Sequence, residues 1–66
     1  MQIMLNGQKK EISPSQNLHE VIGRFSQSPA VLIAEVNGTI VKKARWGAVS
    51  VNDGDTIELV SFVGGG

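Results

Sequence analysis

Two Asn-Gly pairs, Asn6-Gly7 and Asn37-Gly38, constrain this chain more than any other feature. A type I′ turn needs positive φ at both central positions, and Asn-Gly satisfies that need well, so each pair predicts a tight β-hairpin. Ahead of the first pair, Gln2 to Leu5 alternate, with Ile3 and Leu5 on one face. Behind it, Gln8 to Ile12 reads as a polar return strand. Its Lys9, Lys10 and Glu11 suit a sheet edge, where charge discourages further pairing. Around the second pair, Val31 to Val36 is the most strand-like run, and Thr39 to Val41 is its short return.

A helix is predicted between the hairpins. Ser13-Pro14-Ser15 breaks the first return strand, Asn17 is a good N-cap, and Glu20 completes a capping box. Leu18, Val21, Ile22 and Phe25 then fall on one helical face, so Phe25 is expected in the core. Gly23 costs the helix ~1 kcal/mol relative to alanine, and its missing side chain suggests close packing there. Pro29 ends the helical possibility, because the residue before a proline avoids the α region. Lys42 to Gly47 reads as irregular, and Asn52-Asp53-Gly54-Asp55 as a turn cluster. Thr56 to Val63 is the final strand. Alternation turns Ile57 and Leu59 towards the helix and Glu58, Val60 and Phe62 outward.

The order hairpin, helix, hairpin, strand predicts an α+β domain over residues 1–63. One helix covers one face of a mixed sheet of four to five strands. A simple solution puts the last strand in the centre, beside and parallel to the first.

Composition narrows what such a domain does. With 66 residues and no cysteine, it has no disulfide or thiolate site. A domain this small buries only ~60% of its unfolded surface. Its 41% apolar content must therefore supply one well-patterned core. Six basic residues balance six acidic ones, which argues against nucleic-acid binding. No apolar run approaches the ~18 residues of a membrane span, and no signal peptide is expected, because Met1 to Leu5 is too short and lacks a basic n-region. The expectation is a cytoplasmic monomer.

The candidate chemistry lies at the end of the sequence. Gly64, Gly65 and Gly66 follow the final strand. Glycine has no Cβ and packs nothing, and three residues reach ~10 Å beyond a sheet. Residues 64–66 thus form a tail that can thread a partner's channel and present a carboxylate; a frayed end is the plain alternative. Val60 and Phe62 beside this tail make an apolar patch that a monomer has no reason to expose. Glu58, Val60, Phe62 and Val63 are accordingly the candidate docking residues.

Other residues carry weaker signals. His19 has no partner at ligand spacing and reads as a surface residue. Trp46 reads as a loop anchor over one end of the core. Lys42, Lys43 and Arg45 read as a solvated basic cluster or a contact for an acidic partner. Asp53 and Asp55 are explained by turn chemistry. No Ser/His/Asp set and no phosphate-cradling glycine loop is present.

Taken in order, Val36-Asn37-Gly38, Val41, Trp46, Asp53-Gly54-Asp55, Ile57-Glu58-Leu59-Val60 and the terminal glycines resemble the ThiS family. That family comprises bacterial sulfur carriers of thiazole formation in thiamine biosynthesis. The likeness spans essentially the whole chain, with Gly64 as the main departure. The small subunit of molybdopterin synthase, another carrier ending in Gly-Gly, is the nearest rival, and a ubiquitin-like protein modifier is a further alternative. The resemblance implies the β-grasp fold of ubiquitin. It implies a protein co-substrate rather than an enzyme, with no bound cofactor. A ThiF-type adenylyltransferase, using ATP and Mg²⁺, would activate the Gly66 carboxylate. A desulfurase system would supply sulfur to make a thiocarboxylate, and a ThiG-type thiazole synthase would consume it.

Overall fold

A computed structural model of the chain describes residues 1–26 and 31–61, the side chains of residues 31, 32 and 61 excepted. Strands β1 (Gln2–Leu5) and β2 (Gln8–Glu11) precede helix α1 (Leu18–Phe25). Strands β3 (Val31–Val36) and β4 (Thr39–Val41), a 3₁₀ helix (Lys43–Ala48) and β5 (Thr56–Ser61) follow. The five strands form one sheet in the order β2-β1-β5-β3-β4. The last strand lies in the centre, parallel to β1 and antiparallel to β3, as the pattern predicts. The polar β2 is an edge strand.

Both hairpins turn where the Asn-Gly pairs require. Asn6 and Gly7 have φ of 49° and 81°, and Asn37 and Gly38 have φ of 51° and 83°. Each asparagine also reaches beyond its own turn to β5. Asn6 Oδ1 accepts from the Leu59 N–H at 2.7 Å, and Asn37 Oδ1 accepts from the Thr56 N–H at 2.9 Å. The two turns therefore hold the central strand from both sides.

Helix α1 starts with the predicted capping box. Asn17 Oδ1 accepts from the Glu20 N–H at 2.8 Å, and Glu20 Oε1 accepts from the Asn17 N–H at 3.0 Å. The helix stops at Phe25, four residues before Pro29, with Ser26 in extended backbone. Leu18, Val21 and Ile22 are buried against Ile3, Leu5, Ile12, Ala34, Trp46, Val51 and Ile57.

Three expectations are corrected. Phe25 is not in the core: it is half-buried at the rim, with Arg24 and Lys10 over its ring at 5.0 and 5.8 Å from the centroid. It is the last residue of both the stripe and the helix. Gly23 allows no close packing, because a Cβ there would meet nothing within 4 Å. It lies on the exposed side of α1. The segment expected to be irregular holds the 3₁₀ helix Lys43–Ala48. The cause is Trp46, which is buried and donates its indole N–H to the Val41 carbonyl at 2.9 Å. That contact requires a tight turn directly after β4. Trp46 closes one end of the core, the role read for it from the sequence.

Candidate functional site

The site is built on the face of the sheet turned away from α1. Along β5, Ile57 is fully buried and Leu59 packs against the core, whereas Glu58 and Val60 are exposed. This is the facing that alternation predicts. Phe62 and Val63 of the expected docking patch, and the tail Gly64, Gly65 and Gly66, lie outside the described residues.

The sheet register adds residues that the sequence reading missed. Val60 is paired with Ile33 on β3, and Glu58 with Glu35. Glu35 is in turn opposite Ile40 on β4. Ile33, Val60 and Ile40 are 41%, 46% and 63% exposed. Three apolar side chains from three strands thus share one face with two carboxylates. Part of this was within reach of the sequence: the tight turn at Asn37-Gly38 sets Glu35 against Ile40 once both strands are drawn. The pairing of β3 with β5 was not, because those strands are joined only through the sheet.

The turn cluster is structural. Asp55 is buried at 8% exposure. Its carboxylate accepts from the Asn52 N–H at 2.8 Å and from the Asn37 side-chain amide at 3.0 Å. Asp53 Oδ1 accepts from the Gln2 N–H at 2.8 Å. These bonds hold the approach to β5 against the start of β1 and the end of β3. His19 is exposed. Among the described residues, no group of three or more His, Cys, Asp or Glu side chains is placed to hold a metal.

The basic cluster divides. Lys43 sits 5.9 Å from the centroid of the Trp46 ring. Lys42 and Arg45 line an open hollow of about 490 Å³ with Thr39, Ile40, Val41 and Val49. No helix among the described residues is long and apolar enough to cross a membrane.

A five-stranded mixed sheet grasping one helix, with a central last strand leading towards a glycine end, defines a ubiquitin-like β-grasp domain. The model of the ThiS family matches residues 3–66. The chain is 33% identical over 66 residues to the sulfur carrier protein ThiS of Escherichia coli, covering all of both chains. It belongs to the ThiS family. The crystal structure of the thiamine biosynthesis protein ThiS from Geobacter metallireducens superposes with a TM-score of 0.80 at 30% identity, covering all of both chains. The whole chain is also 35% identical to part of a thiazole synthase from Paramagnetospirillum magneticum, where it spans 20% of that protein's length.

Proposed function

We propose that this chain is a cytoplasmic sulfur carrier for thiazole formation in thiamine biosynthesis, with the Gly66 carboxylate as its working group. The observation that carries this reading is the family match through residue 66, in a chain whose last described strand the fold places centrally. The protein is a co-substrate, and its catalytic groups belong to its partners.

The chemistry follows from the weakness of a carboxylate as an acyl donor. Its charge repels nucleophiles, and oxide is a poor leaving group. A ThiF-type adenylyltransferase, with ATP and Mg²⁺, lets a Gly66 carboxylate oxygen attack the α-phosphorus of ATP and expel pyrophosphate. The terminal sulfur of a persulfide, supplied by a desulfurase system, then attacks the acyl carbon and expels AMP. A thiol cleaves the resulting S–S bond, leaving a thiocarboxylate on Gly66. A ThiG-type thiazole synthase transfers that sulfur to its own substrate, an oxygen from substrate or water replaces it on the Gly66 acyl carbon, and the carboxylate returns. The similarity to part of a thiazole synthase supports that partner. Gly64 and Gly65 supply a side-chain-free segment for a narrow channel. Glu58, Val60, Phe62 and Val63 belong to the body that the partners hold.

Deleting Gly66 tests this. The reacting carbon then stops short of the α-phosphate, and ATP–pyrophosphate exchange with the activating enzyme should be lost while the fold persists. Normal exchange by the shortened chain would refute the assignment. Intact mass of the wild-type chain after reaction with ATP and the sulfur donor should show one oxygen replaced by sulfur.

A further inference from the structure

We propose that the outer face of the sheet docks a thiazole synthase through a cationic side chain of that enzyme, held between Glu35 and Glu58. The proposal rests on the sulfur-carrier reading and adds the chemistry of its docking surface.

Glu35 and Glu58 stand directly opposite each other on β3 and β5. Like charges in that position destabilise a sheet. Proteins usually place strand charges at sheet edges, where they block unwanted pairing. Here the edge strand β2 does carry Lys9, Lys10 and Glu11. The two acids instead occupy the central strand and its neighbour, where they protect no edge. Neither carboxylate has a hydrogen-bond or ion-pair partner among the described residues.

The surroundings of the pair point to a covered state. Val60 and Ile33 flank it along the strands, and Ile40 lies across from Glu35. All three are substantially exposed. A partner that covers these apolar groups also removes water from the carboxylates. Burying two unpaired carboxylates is unfavourable, so the covering surface must bring a positive charge. Arginine fits best, because its planar guanidinium donates to two carboxylates at once.

The occupant is a thiazole synthase because such an enzyme contains a segment similar to this entire chain. A carrier domain tethered to that enzyme works against the enzyme's own surface. This chain, similar to that segment over its whole length, is given the same surface to work against.

The test is titration of the intact chain with thiazole synthase and, separately, with the activating enzyme, both from the same organism, over a range of salt concentrations. The variants are Glu35→Gln, Glu58→Gln and the double substitution. Removing the repulsion should leave the thermal midpoint of the free chain unchanged or raised. The Kd of the double variant for thiazole synthase should rise by about tenfold or more, and its salt dependence should flatten. Glu58→Lys, which places a cation opposite Glu35, should remain folded and bind thiazole synthase at least as poorly. Wild-type affinity and salt dependence in the double variant would overturn the proposal. So would a lowered midpoint, which would assign the carboxylates to the fold, or a loss confined to the activating enzyme. Thiocarboxylate formation on the wild-type chain is measured in parallel. If it forms while the Gln variants bind normally, only the docking proposal falls. If it never forms, the carrier reading falls and the proposal with it.

Discussion

On the face of the sheet turned towards α1, Ile3, Leu5, Ala34 and Ile57 are buried to within a few per cent. On the other face of the same sheet, Ile33, Ile40 and Val60 are substantially exposed beside two carboxylates that have no partner among the described residues. Folding accounts for the first set, because burying those side chains beneath α1 removes apolar surface from water. It accounts for the second set only in part, because much of each of those side chains stays exposed in the free domain. The contrast separates residues that make the fold from residues available to a partner.

The largest expected effect lies on the inner face. Leu18 is fully buried, and Leu18→Ala should cost roughly 2–5 kcal/mol through lost burial and the cavity left behind. In a domain of marginal stability that is enough to populate the unfolded chain, which urea denaturation will show. Phe25→Ala should cost less, because Phe25 is only half-buried. The reverse order would mean that the helix end is packed more tightly than its exposure indicates.

Asp55→Ala comes next. It strands the Asn52 N–H and the Asn37 amide and should cost about 1–3 kcal/mol by the same measurement. An unaffected midpoint would show that the turn holds β5 without its carboxylate.

Gly23→Ala acts in the opposite direction. With open space around the new methyl group, it should stabilise by about 0.5–1 kcal/mol and raise the thermal midpoint. A drop would mean that Gly23 is needed for a reason other than packing.

The smallest effect on stability belongs to the outer face. Val60→Ser should change stability by no more than about 0.5 kcal/mol, yet weaken binding of thiazole synthase. A large loss of stability would erase the distinction between the two faces.

Much of this molecule follows from short-range chemistry. Asn6-Gly7 and Asn37-Gly38 determined both turns, since their backbone preference is local. Asn17 and Glu20 determined the start of the helix, because a capping box closes over four residues. Alternation along Thr56 to Ser61 determined which side chains of β5 face outward. Tertiary structure decided the rest through contacts between residues far apart in the chain. The 3₁₀ helix at Lys43–Ala48 depends on Trp46 finding both the core and the Val41 carbonyl. The half-buried position of Phe25 depends on how the end of α1 packs against the core. The juxtaposition of Ile33 with Val60, and of Glu35 with Glu58, depends on β3 and β5 pairing in one register. Side chains more than twenty residues apart become neighbours only when a sheet closes, and no local preference records that closure.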